Sequence, residues 1–334
     1  MKLIIQIPCF NEETTLPLVF EKMPKRIEGI DCIEFQVIDD GSTDRTVEVA
    51  RQLGVQHIVQ ISGKNRRWLG RAFKLGIDNA LALGADIVVN TDGDNQYPSE
   101  KIEDLVRPIL DGYADVVIGD RDPSRYSGFS PAKRFLQKLG SNTVQFLTGQ
   151  PVKDAVSGFR AYSRRALLRI HVMTNYTYTV DTLMQAHQKG LEVVWLPIHP
   201  NDKTRESRLI TSSISKVRKS GLTILRLSTM HSPAKTFALL AAAFAVPALL
   251  LLGRFGYFYL FVRHEADGHI QSVVVGGVLL VIAVQLLFLG IIGDLLAVNR
   301  ALIEDLLTRT RKLELQGESA TRQQNELKVV GTRQ

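Results

Sequence analysis

The sequence predicts an α/β domain on a mainly parallel sheet, followed by two helices that cross a membrane. Three observations carry this. Apolar runs alternate with charged amphipathic segments over residues 1–233. Two long uncharged apolar runs come next, and carboxylates recur where the expected strands end. Alternation of strand and helix argues for parallel strands covered on both faces.

The first strand is KLIIQIP (2–8), and TLPLVFEKMPKRI (15–27) reads as a helical segment. IEFQVIDD (33–40) is a second strand, with a helix through STDRTVEVARQLG that opens on Ser42 and ends at Gly54. QHIVQIS (56–62) is a third strand, and RAFKLGIDNALALG the helix after it. ADIVVNTD (85–92), helix KIEDLVRPILDG and strand ADVVIGDR (114–121) complete the alternation. Beyond it, FALLAAAFAVPALLLLG (237–253) and IQSVVVGGVLLVIAVQLLFLGIIG (270–293) have the length of membrane spans, and GYFYLFV (256–262) extends the first into an aromatic belt.

Charge orients the spans. Lys216, Arg218, Lys219, Arg226 and Lys235 precede the first, and Arg300, Arg309, Arg311 and Lys312 follow the second, whereas the loop between sets Arg263 against Glu265 and Asp267. The positive-inside bias puts both ends in the cytoplasm. The apolar stretch in MKLIIQIPCFNEE is too short for a signal peptide, so the large domain is expected to stay there, with Cys9 and Cys32 as reduced thiols. The net charge of +7 sits largely around the spans and in SKVRKSGLTILRLS (215–228), which reads either as an interfacial helix facing anionic headgroups or as a solvated helix. Cations flanking spans, rather than interleaved with aromatics, argue against a nucleic-acid binder. The expected organisation is an α/β domain over 1–210, an interfacial helix over 211–233, two spans over 234–298, a cytoplasmic helix over 299–316 and a disordered tail over 317–334.

The stretch VNTDGDNQYP (89–98) raises the chemical question. Asp92 and Asp94, two residues apart at a strand exit, share one face if the strand continues, repel each other and lose solvation. A divalent cation between them answers that; a solvated turn is the ordinary alternative. The wider pattern favours a site. Glu12 follows the first strand, Asp39 and Asp40 end the second, Asp92 and Asp94 the fourth and Arg121 the fifth, so they share the rim where parallel sheets bind ligands. Asp39 or Asp40 suits ribose hydroxyls or a base amide, while Ser42 and Asp44 suit a helix cap and first turn. The histidines His57, His171, His187 and His199 are scattered without metal-ligand spacing.

PCFNEE, IDDGSTD and DGDNQYP in this order resemble the family 2 glycosyltransferases of GT-A fold, and more narrowly the polyprenyl-phosphate sugar transferases such as dolichyl-phosphate mannose synthase. The resemblance covers roughly residues 1–210, and the C-terminal spans match one branch of the group. It implies a Rossmann-like, mainly parallel catalytic domain plus a two-helix transmembrane domain. It implies nucleotide contacts from Pro8, Phe10, Glu12, Ile38, Asp40, Asp92, Gly93 and Arg205, with Mg²⁺ or Mn²⁺ held on the diphosphate by Asp92, Asp94 and Gln96. Arg121 and Arg134 are assigned to the acceptor phosphate, with Arg125 and Lys133 nearby. DAVSGFRAYSR (154–164) resembles the segment whose acid has been proposed as catalytic base. A phosphate acceptor is largely dianionic at neutral pH, so Asp154 either acts as that base or orients the acceptor or a cation. TRESRL (204–209) departs from the usual Gly-x-Ser-Lys form with Arg205, Ser207 and Arg208, and NRRWLGRAF adds Arg66 and Arg67 to an altered pattern.

The expected activity is therefore inverting transfer of one sugar from a UDP- or GDP-linked donor to a polyprenyl phosphate at the cytoplasmic face of the cell membrane. A processive polysaccharide synthase lacks its Q-x-x-R-W motif here, since the only Arg-Trp, Arg67-Trp68, precedes DGD. A non-catalytic nucleotide-binding scaffold would have lost a metal carboxylate. Two-span relatives can be tetrameric, and RALIEDLLTRTRKLEL (300–315) is a candidate homo-tetramer contact.

Overall fold

A computed structural model describes residues 1–61, 68–122, 141–142, 144–146, 149–172, 178–201, 226, 228–230, 232–261 and 270–331, with side chains to residue 317. Two compact units are present, Met1–Val217 with Glu304–Gln334, and Arg218–Ile303.

The first unit holds a seven-stranded sheet. In chain order its elements are β1 (Lys2–Cys9), α1 (Leu16–Glu21), β2 (Cys32–Asp39), α2 (Thr46–Gln52), β3 (His57–Gln60), α3 (Leu69–Ala82), β4 (Ile87–Asn90), α4 (Ile102–Leu110), β5 (Val116–Asp120), β6 (Arg160–Ser163), α5 (Arg164–Arg169), α6 (Thr179–Gln188) and β7 (Val193–Pro197). The strand order is β3-β2-β1-β4-β6-β5-β7. Every pairing is parallel except those of β6, which runs antiparallel to β4 and β5. Leu3, Ile5, Ile7, Ile87, Val89 and Val117 form the middle of the core with Leu16, Leu105 and Val106 from the helices. β4 is buried at all of its positions, as a strand covered on both faces must be.

Each strand of the expected alternation is present, but two helices differ. The first is shorter than 15–27, ending at Glu21 before Pro24. The second opens at Thr46 rather than Ser42. Ser42 does not cap it, because its hydroxyl accepts the Asn11 N–H at 2.9 Å. Asp44 lies ahead of the helix instead of in its first turn and accepts the Thr46 N–H at 3.0 Å.

The second unit contains α7 (Pro233–Phe261) and the Ile270–Ile303 part of α8 (Ile270–Gly331); both are long and apolar enough to cross a membrane. Glycines bring them together. A Cβ on Gly293 would lie 2.7 Å from Pro233 Cβ, one on Gly290 3.2 Å from Phe237 Cβ, and one on Gly276 3.0 Å from Leu252 Cγ. Helix α8 continues without a break through 299–316 and past residue 317 to Gly331, where a disordered tail was expected from composition. From Glu304 onward it belongs to the first unit, where Glu304 pairs with Lys189 at 2.7 Å and the Thr308 hydroxyl lies 2.9 Å from His171 Nε2.

Candidate active site

The chain winds from β1 through β2 to β3 on one side, then returns to add β4 on the other side of β1. The strand order therefore reverses between β1 and β4, and the loops leaving their carboxyl ends part to form a crevice. Both acidic motifs sit there.

On the β1 side, Pro8 pairs in register with Ile38 and Cys9 with Asp39. The loops beyond are knitted together. Asn11, at φ 55°, accepts the Thr43 N–H at 2.7 Å, and the Glu12 N–H donates to Thr46 Oγ1 at 2.7 Å. Gly41, at φ 79°, makes the turn that returns the chain, and Asp39 Oδ1 accepts the Ser42 N–H at 2.9 Å. Glu12, Asp39 and Asp40 are buried, and Phe10 is half-buried beside them. Glu12 Oε2 accepts the Thr15 hydroxyl at 2.6 Å.

On the β4 side, Asp92 and Asp94 flank Gly93. A Cβ on Gly93 would lie 3.0 Å from Cys9 Sγ, 3.3 Å from Glu12 Cγ and 3.5 Å from the Pro8 carbonyl oxygen. Only a glycine lets the DGD backbone approach the first motif this closely. Asn95, at φ 58°, turns the chain back, and Gln96 donates from its backbone N–H to Asp94 Oδ1 at 3.2 Å and from Nε2 to Asp94 Oδ2 at 2.6 Å. Burial first, then the charge of Asp94, push the Asp92 carboxyl up to about 7; Arg121 opposes this and Glu12 adds to it.

The neighbouring wall carries a cation. Arg121, one residue past β5, grips Asp154 with both ends of its fork, Nε to Oδ2 at 2.7 Å and Nη2 to Oδ1 at 3.0 Å. Asp154 is 1% exposed, and the Val156 N–H also donates to Oδ1 at 3.3 Å. Burial acts to lower the Arg121 pKa, but Tyr97, Asp154 and Asp92 outweigh it and the guanidinium stays charged. Arg121 lies over the Tyr97 ring, 5.9 Å from its centroid.

The crevice thus gathers Pro8, Phe10, Glu12, Ile38, Asp40, Asp92, Gly93, Asp94 and Gln96 at the ends of three strands, with Arg121 and Asp154 beside them. Arg134 and Arg205 lie outside the described residues, as do Arg66, Arg67, Arg125, Lys133, Ser207 and Arg208. Tyr97, Gly158, Asn90 and Tyr178 were missed as site residues. Tyr97 follows DGDNQ directly and Gly158 lies within the DAVSGFR segment, so proximity to a motif was the available signal.

Among the described residues no group of three or more His, Cys, Asp or Glu side chains is placed to hold a metal ion. The donor set still fits one: Mg²⁺ and Mn²⁺ sites at phosphates use one or two carboxylates, the rest coming from phosphate oxygens and water. Two carboxylates close enough to raise the proton affinity of one of them make such a pair.

A twisted α/β sheet with acidic strand ends at its reversal point and an antiparallel strand within it is the GT-A arrangement. Residues 4–170 match the model of glycosyl transferase family 2, and the chain belongs to that family and is a glycosyltransferase. Among its relatives, glycosyltransferase AglJ of Haloferax volcanii is 28% identical over 321 residues, 93% of this chain and 97% of that one. Polyprenol monophosphomannose synthase of Mycolicibacterium smegmatis is 29% identical over 206 residues, 58% of this chain and 76% of that one. In fold the chain is similar to glucosyl-3-phosphoglycerate synthase from Mycobacterium tuberculosis, with a TM-score of 0.53 at 20% identity over 68% of this chain and 78% of that one.

Proposed function

We propose that this chain transfers a single sugar, with inversion, from a UDP- or GDP-linked donor to a polyprenyl phosphate at the cytoplasmic face of the cell membrane. The observation that carries the reading is the Asp92–Asp94 pair set at the sheet reversal, where burial and then the charge of Asp94 push the Asp92 carboxyl up while the nearby Arg121 charge opposes the shift. A relative named polyprenol monophosphomannose synthase supports the acceptor class, and the two apolar helices support membrane anchoring. The solved neighbour, crystallised with Mn²⁺ and UDP, supports the donor and metal.

In this reading Pro8, Phe10, Glu12, Ile38, Asp40 and Gly93 line the nucleoside end, joined by Arg205. Asp92 and Asp94 hold Mg²⁺ or Mn²⁺, with Gln96 alongside. When bound, the cation supplies Lewis-acid stabilisation of the charge on the departing diphosphate. Arg121, and Arg134 with it, receives the acceptor phosphate, and one phosphate oxygen attacks the sugar in line from the face opposite the diphosphate. The acceptor arrives as a dianion and needs no general base. Asp154 therefore serves by holding the Arg121 fork in one orientation, so that positioning and charge stabilisation supply most of the rate.

The test is transfer of labelled sugar from a panel of UDP- and GDP-sugars into polyprenyl phosphate, with Mn²⁺ or Mg²⁺ and with Asp94→Asn as control. Lipid label from one donor, lost on chelation and in the variant, is expected. Nucleotide and metal binding without label from any donor would move the reading to a scaffold.

A further inference from the structure

We infer that Tyr97 is a positioning residue that aligns the carboxylate Asp92 and the cation Arg121 with each other, acting through the peptide of Gly158; the inference rests on the metal-dependent transfer proposed above. Tyr97 is 4% exposed, and its hydroxyl accepts the Gly158 N–H at 2.8 Å. The same residue's carbonyl accepts from Asn90 Nδ2 at 2.9 Å and from the Tyr178 hydroxyl at 3.2 Å. Residue 158 is therefore gripped at both ends by buried side chains.

What that grip fixes is the wall behind Asp92. A Cβ on Gly158 would lie 3.5 Å from each Asp92 carboxylate oxygen and 3.0 Å from the Tyr178 hydroxyl. Residue 158 thus faces the carboxylate across about the width of one methyl group, with no side chain of its own between. The supporting groups cannot drift. Asn90 Nδ2 also donates to the Tyr178 hydroxyl at 2.8 Å, Asn90 Oδ1 accepts from Gln6 at 3.0 Å, and the Tyr178 ring stacks on Phe73 at 3.9 Å.

The ring of Tyr97 does a second job. One face stacks on Phe159 with centroids 5.2 Å apart, and the Arg121 guanidinium sits 5.9 Å from its centroid. Arg121 is held in turn by Asp154, on the loop that leads into Gly158. One side chain thus touches both halves of the site, by its hydroxyl toward Asp92 and by its ring toward Arg121. The two contacts are separable by substitution.

The experiment uses the full chain in detergent, with Mn²⁺ binding followed by electron paramagnetic resonance and KM determined for donor and polyprenyl phosphate. Tyr97→Phe keeps the ring and removes the acceptor of the Gly158 N–H. It is expected to weaken Mn²⁺ binding about tenfold, the scale seen when a group supporting a metal ligand is lost, while KM for polyprenyl phosphate stays near wild type. Tyr97→Leu removes both contacts and is expected to weaken Mn²⁺ binding and raise that KM together. Gly158→Ala, whose Cβ would crowd the Tyr178 hydroxyl at 3.0 Å and so disturb the same grip without touching the Tyr97 ring, is expected to reproduce the Tyr97→Phe pattern and serves if a Tyr97 variant misfolds. A Tyr97→Phe protein that melts earlier yet binds Mn²⁺ as wild type does overturns the inference and leaves the proposed function standing. Wild-type protein that binds no Mn²⁺ overturns the metal reading and the inference with it.

Discussion

Asp92 carries a pH dependence that can be worked out in sign. Its folded pKa, pushed up to about 7 by burial and by Asp94, lies above the ordinary aspartate value of 3.8. The folded state therefore holds more protons than the unfolded one between those values, and metal-free stability falls as pH rises toward 7. Asp92→Asn removes that dependence and is expected to stabilise the metal-free protein above pH 7 by on the order of 2–4 kcal/mol, read from melting curves with chelator. At the proposed metal site the dependence is expected to run the other way: the proton must leave before Mn²⁺ binds, so affinity would rise toward pH 7 and level off above it, as a titration series would show. The Arg121–Asp154 pair behaves differently because its charges already compensate. Asp154→Ala strands a buried guanidinium and is expected to cost about 3–5 kcal/mol, whereas the double change Arg121→Met with Asp154→Leu costs less than the single one. Denaturant melts of the two variants decide it.

At the scale of elements, α3 shows how close approach sets composition. A Cβ on Gly76 would lie 2.2 Å from Gln6 Oε1, and the Gly76 carbonyl accepts from Gln36 Nε2 at 2.9 Å. Gln6 and Gln36 are fully buried, and Asn79 of the same helix donates to Gln36 Oε1 at 2.6 Å. The polar layer leaves no room for a methyl group and cannot swing away without losing hydrogen bonds. Gly76→Ala is expected to destabilise the catalytic unit by about 1–3 kcal/mol despite alanine's better helix propensity. A lowered melting temperature is the signature, read from thermal melts of the variant beside wild type. Pairing of α7 with α8 rests on the same principle, with Gly293 against Pro233 and Gly290 against Phe237.

For the whole molecule, the charge distribution makes a topological prediction that the protein's own cysteines can report. Cys32 is exposed and Cys9 is buried in the catalytic unit. If that unit faces the cytoplasm, a membrane-impermeant maleimide labels Cys32 in inverted vesicles and not in intact cells. Labelling in intact cells would reverse the orientation drawn from the basic flanks. Cys9 is expected to stay unmodified until the protein unfolds, because burial pushes its thiol pKa up and neighbouring carboxylates add to the shift.

The succession of strands and helices along the chain, the two apolar helices and the acidic strand ends were all legible in the amino-acid sequence. Each follows from local patterning: continuous apolar runs for buried parallel strands, long uncharged runs for the spans, and carboxylates where a run stops. The strand Arg160–Ser163 was not legible, because RAYS is short and polar and gains its place by pairing between β4 and β5. The start of α2 was misread for a related reason, since Ser42 is drawn away by a backbone N–H from another loop. The sequence by itself determined which residues carry charge and which strands they terminate. Only the tertiary structure decided that β4 returns beside β1, that both Asp154 oxygens bind Arg121, and that Tyr97 and Tyr178 converge on Gly158 from either side. These are contacts between positions far apart in the chain, and their geometry depends on strand order and packing, which local patterning does not encode.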